Sequence, residues 1–176
     1  DNLTTAQVSV MTTAQVYAIT SDQIDNVTST QIAAITTQSI AAIGSDNIAL
    51  LSSVQVLGLT TDQIVALTTA QIAAIDTGVI DNFLTAQIAE FETRDVVKLT
   101  SDQIQAMTSV QVAAMTTDNL VKLSTSALSS VALLSVPKFT SNQINSLTST
   151  QVVALSTDQI VALSTGQAAS LGTLQA

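Results

Sequence analysis

Large apolar residues return at two fixed places in every eight residues of this chain. Written a to h, the unit is Thr/Ser, Ser/Thr, variable, Gln, Ile/Val, small, small, Leu/Ile/Met. Residues 60–75 show it most clearly, TTDQIVAL followed without a gap by TTAQIAAI. The octad runs through residues 4–171 with no insertion or deletion. Position e is apolar throughout, from Val8 to Ala168, and so is position h, from Leu3 and Met11 to Leu171. Position b is Ser or Thr everywhere except Leu133. Position d is Gln in most units, with Ser39, Val79, Asp95 and Ala127 among the exceptions.

One long helix does not satisfy this pattern. Eight residues advance about 800° around a helix, roughly 80° past two whole turns, so the apolar stripe would wind around the cylinder within about five octads. A β-solenoid is the alternative, because Thr, Val and Ile favour strands. In a strand, however, e and h fall on opposite faces, and Gly, Pro and Asn are too scarce to make corners. Short helices fit the unit locally. Thr at a and Gln at d have capping-box spacing, and the h residue before Thr and the e residue after it have hydrophobic-staple spacing. Aspartate recurs at c (Asp22, Asp62, Asp102) and lysine at g (Lys98, Lys122, Lys138), each at the helix end whose dipole it suits. Each octad therefore predicts a helix of about six residues, restarted by the next hydroxyl pair.

Such helices are too short to stand alone. Two buried aliphatic side chains per octad do not offset the ordering of eight backbones, so the units must stack. The expected fold is an all-α solenoid of very short capped helices with Ile and Leu ladders inside, forming a single repeat domain over residues 1–176. A longer period lies over the octad, with similar segments starting at Ile19, Leu59, Leu99 and Phe139, 40 residues apart. It reads either as the number of octads that brings the superhelix back into phase or as a duplicated block. Residues 132–139, ALLSVPKF, lack both hydroxyls and the Gln and hold the only proline, Pro137. With the unit before them they mark a local irregularity near 124–139.

Composition narrows the function. Net charge is −9, and the four basic residues are Arg94, Lys98, Lys122 and Lys138. That is too little positive charge to neutralise nucleic-acid phosphates. The hydroxyl pair interrupts every apolar run well short of about eighteen residues, so no membrane insertion is expected. His, Cys and Trp are absent, which removes imidazole and thiolate chemistry. No base is placed to activate any of the many hydroxyls. The expectation is a non-enzymatic protein with no cofactor and no metal. The densest carboxylates, Asp76, Asp81, Glu90, Glu92 and Asp95, match no calcium loop and read as a solvated face. The hydroxyl and Gln columns read first as capping groups. Regular hydroxyl ladders also allow a surface that binds glycan or ice.

LTTDQIVAL at 59–67 resembles the opening helix of TAL-effector DNA-binding repeats, but over one octad only, and the acidic charge argues against DNA. The whole of 4–171 resembles the Thr-x-x-Gln-Ile-x-x-Leu tracts of large exported bacterial adhesin and exoprotein-type proteins. That resemblance implies an extracellular, scaffold-like role at the cell surface. Neither terminal octad carries a polar cap, and an uncapped solenoid exposes an apolar cross-section. Head-to-tail stacking of copies would bury it in an extracellular filament or matrix. The candidate assembly residues are Leu3, Val8 and Met11 at one end and Leu163, Leu171 and Leu174 at the other. The alternative is a monomeric spacer or ligand-binding segment of a giant secreted adhesin.

Overall fold

The computed structural model describes residues 3–171. Among them are nineteen α-helices and two short 3₁₀ helices, with no strand, so the β-solenoid alternative falls. The helices are four to seven residues long, one to an octad. The helix Thr61–Ala66 shows how each is made. Thr60, extended at φ −78° and ψ 159°, is the N-cap. Its Oγ1 accepts the Gln63 N–H at 3.2 Å, and Gln63 Oε1 accepts the Thr60 N–H at 2.9 Å. The helix stops at Leu67, again extended at φ −60° and ψ 144°. Two extended residues, h and the next a, therefore turn the chain from one helix to the next. No described residue has a positive φ, which is why the chain folds with so little glycine.

The chain divides into two compact units, Asp1–Glu90 and Phe91–Ala176. In the first, each helix packs on the helix three octads away: Thr5–Ser9 on Ser29–Ala34, then Ser29–Ala34 on Ser53–Gly58. The second unit repeats the scheme, with Ser101–Ala106 on Thr125–Ser129 and Ser141–Ser146 on Thr165–Leu171. Within each unit the backbone winds as a solenoid. The e side chains from Val8 to Ile144 and the h side chains from Ile35 to Leu147 are buried. Octads 76–83 and 132–139 carry no Thr–Gln pair, and their helices are the 3₁₀ segments Ile80–Asn82 and Leu133–Lys138.

The turns are joined through the Gln column. Gln63 is 1% exposed, and its Nε2 donates to the carbonyls of Ile32 at 2.7 Å and Ile35 at 2.6 Å. The same amide thus closes the start of its own helix and the end of the helix beneath. Gln55 and Gln71 do this through Ile24 and Val27, and through Ile40 and Ile43. In the second unit Gln151 reaches Leu120 and Leu123, and Gln167 reaches Val136 and Phe139. The recurring separations of 28 and 31 residues set one turn at about three and a half octads. Each helix start consequently lies over a junction between two helices of the turn below. Forty residues span about 1.4 such turns of 28 residues, so the longer sequence period is not a whole number of turns, and the duplicated block is the reading that stands.

Two predictions follow from this packing. In Gln63→Glu the carboxylate keeps the capping bond but loses both donors and faces two carbonyl oxygens in a buried place. Unfolding in urea at neutral pH should show a loss of about 2–4 kcal/mol. The folded-state pKa of that new acid is raised above its unfolded value of about 4.3, so stability falls as pH rises through that window and is partly recovered below it. Gly58 is constrained differently: a β-carbon there would overlap the Ser29 carbonyl oxygen and lie 2.8 Å from Ser29 Cα. Gly58→Ala gains up to about 1 kcal/mol of helix propensity but forces two backbones apart, so a net loss of about 1–2 kcal/mol is expected in the same assay.

Candidate functional site

A turn inside the coil has its Gln donors covered by the carbonyls beneath, and the outermost turns do not. Gln7, Gln15 and Gln23 form capping boxes with Thr4, Thr12 and Thr20. Their Nε2 groups meet no acceptor among the described residues, and all three side chains are exposed. Burial begins with Gln31, whose Nε2 donates to the Leu3 carbonyl. Local capping and stacking therefore separate cleanly along the chain: the first three glutamines do the one, and the later ones do both.

The same edge holds an open hollow of about 510 Å³, lined by Leu3, Val8, Met11, Ile19 and Val27 together with Gln15 and Gln23 among others. The structure thus brings together three of the residues singled out from the sequence. Leu3 is 47% exposed and Met11 is half-buried, whereas Val8 is 5% exposed. It is the h residues that lie open at this end, because the e residues Val8, Val16 and Ile24 are already covered.

At the far end of the second unit both columns are partly exposed. Leu147 is the last buried h residue, the e residue Val152 is half-buried, and Ile160 is 41% exposed. Leu163 and Leu171 are half-buried, and Leu174 lies outside the described residues. The carbonyls of Val152, Leu155, Ile160 and Leu163 occupy the places that receive Gln amides elsewhere, but no described side chain reaches them. Among the described residues, the first turn thus presents amide donors with h side chains, and the last presents carbonyl acceptors with both e and h side chains. Sequence reasoning named apolar residues in these turns and did not single out Gln7, Gln15 and Gln23. Their signal was present in the regularity of column d, but a capping role already accounted for it.

The other candidate positions gather no chemistry. Asp76 accepts the Gly78 N–H at 2.7 Å, and Asp81 accepts from Asn82 Nδ2 at 2.6 Å. In the second unit Glu92 pairs with Arg94 at 2.6 Å, and Arg94 Nε stands 3.7 Å from Asp95. No group of three or more His, Cys, Asp or Glu able to hold a metal ion occurs among the described residues. No described helix is long and apolar enough to cross a membrane. The hydroxyls at a are engaged by their own helices, as Thr28 is with Gln31 and Thr148 with Gln151.

Comparison with known proteins agrees with the repeat itself. The ALTTAQ repeat matches residues 40–77, 79–125 and 136–173, together well over half of the chain. Its name reads directly as residues 66–71, the segment that carries one N-cap pair to its Gln. No curated protein and no solved structure matches. On the repeat alone, this chain belongs to the ALTTAQ repeat family.

Proposed function

We propose that this protein is a non-enzymatic structural element, a subunit of an extracellular filament or matrix that grows by end-to-end stacking of coils. The observation that supports the reading is the stacking of one turn on another through Gln amides, a contact that further coils can extend. Within each unit an interior turn is joined to the turn below it by Gln amides, and the same chemistry can join one coil to the next. A contact between two unlike ends does not close on itself and so propagates. The resemblance of the octads to tracts of exported adhesin-type proteins supports placement outside the cell, and the polar hydroxyl and amide surface suits a solvated scaffold. On this reading the function lies in assembly and spacing.

Negative-stain electron microscopy of the purified chain over a range of concentrations tests this. Filaments that lengthen with concentration are expected. Monodisperse short rods at every concentration would overturn the proposal and favour a monomeric spacer within a larger secreted protein.

A further inference from the structure

We infer that the second unit contains a seam at which its coil parts before its helices unfold, between octads 92–115 and the octads 116–139 stacked on them. Three helix pairs cross this boundary: Thr93–Val96 with Thr117–Leu120, Ser101–Ala106 with Thr125–Ser129, and Ser109–Ala114 with the 3₁₀ segment Leu133–Lys138. The three upper octads make most of one 28-residue turn. At position d they carry Asn119, Ala127 and Ser135 in place of Gln. Asn119 Nδ2 donates to the Phe91 carbonyl at 2.7 Å and reaches no e carbonyl. Ala127 has no amide to donate. Ser135 Oγ is buried without a hydrogen-bond partner. The carbonyl pairs Val96/Leu99 and Ile104/Met107 stand 31 and 28 residues before Ala127 and Ser135, the separations that Gln rungs span elsewhere. They receive no rung from these positions.

The same three octads are held firmly from their other side. Gln151 donates to Leu120 and Leu123, Gln159 to Leu128 and Val131, and Gln167 to Val136 and Phe139. Gln143, donating to the Met115 carbonyl at 2.7 Å, bounds the seam at its carboxy-terminal side. Across the seam itself apolar packing remains, and Leu120, Leu128 and Val136 are all buried. Parting it costs that non-directional packing and the one Asn119 amide bond, whereas opening a turn with rungs strips the acceptors from every Gln. Ser135 tilts the balance further, because an unpartnered buried hydroxyl is a penalty that opening to water relieves. The first unit has no such run of octads. There Ser39 and Asn47 still reach the Met11 and Ile19 carbonyls, and Val79 stands between Gln71 and Gln87. A pull along the coil is borne by the contacts between turns, so the seam gives way first and releases length while the short helices stay wound. This holds for a filament subunit and for a spacer alike.

The chain has no cysteine, so a single introduced thiol reports where it opens. Ala127→Cys places one at position d against the seam, and Ile144→Cys places one in an octad that keeps its Gln143 rung; both parent side chains are buried. Without denaturant, labelling by an aromatic disulfide reagent should be about tenfold or more faster in Ala127→Cys than in Ile144→Cys. The faster rate should depend only weakly on urea, as opening short of global unfolding does. Adding Asn119→Gln and Ser135→Gln to the Ala127→Cys chain supplies missing amides and should slow its labelling about tenfold. Asn119→Leu removes the one amide bond and leaves the backbone bond to the Thr116 hydroxyl in place. It should speed labelling at 127 severalfold and leave the rate at 144 unchanged. Because it needs no room for a longer side chain, it tests the seam even where the added glutamines do not fit. Equal rates at the two thiols, both with the urea dependence of global unfolding, would overturn the seam. So would a rate at 127 that neither the added amides nor Asn119→Leu moves, since opening there would owe nothing to the rungs.

Discussion

Everything in this structure depends on the side-chain amide at position d having as many hydrogen-bonding sites as the geometry requires. A helix leaves its first four N–H and last four C=O groups without partners, and in a helix of about six residues that is nearly the whole backbone. Gln63 answers this within one residue: its own N–H goes to the Thr60 hydroxyl, its Oε1 takes the Thr60 N–H, and its two amide protons go to Ile32 and Ile35. Such a group buried without partners would cost several kcal/mol, and fully bonded it joins two turns. Glutamate shares the shape and lacks the donors. Asparagine keeps the donors and is shorter, and Asn47 and Asn119 accordingly reach only the h carbonyls of Ile19 and Phe91.

The exceptions in column d show what the rung contributes. Ser39 still touches the Met11 carbonyl through its hydroxyl at 3.2 Å, and its octad keeps an α-helix, Thr37–Ile40. Ser135, in an octad that begins with Ala132 in place of a hydroxyl, has a buried Oγ with no hydrogen-bond partner, and the segment there is 3₁₀. Pro137 falls inside that 3₁₀ segment, where the tighter winding and the missing N–H are compatible. In this octad the winding is 3₁₀ while the e and h residues Val136 and Phe139 stay buried. The apolar columns hold the unit in place, and the polar columns decide how it winds.

A coil built this way has ends that are chemically unlike, which few packed domains have. In a globular protein the surface is finished by exposed polar side chains, whereas here the first described turn leaves Gln amides exposed and the last leaves carbonyls that no described side chain reaches. Water can serve both, so an isolated coil is a reasonable molecule. In the proposed filament a second coil would serve them while also removing apolar residues from water. Helix capping, normally a local matter, becomes the means of recognition between turns.

Much of this was legible in the octad itself. The Thr-to-Gln spacing identifies the helix start, the 80° mismatch excludes one long helix, and the inability of six residues to fold alone requires stacking. These are local or arithmetic facts, so the sequence by itself determined the short helices, the e and h core columns and the solenoid class. It could not place the second half of each Gln amide. Capping uses only Oε1, and nothing within eight residues says what Nε2 touches, because its acceptors lie 28 and 31 residues away. Likewise 28 residues per turn does not appear as a period in the sequence: the octad repeats every eight residues and the longer block every 40. Only the tertiary structure decided the turn length, the burial of the Gln column and the identity of the open donors Gln7, Gln15 and Gln23. The physical reason is that the pitch of a coil is set by how the side chains of one turn fit the backbone of the next, and that fit exists only once both turns have formed.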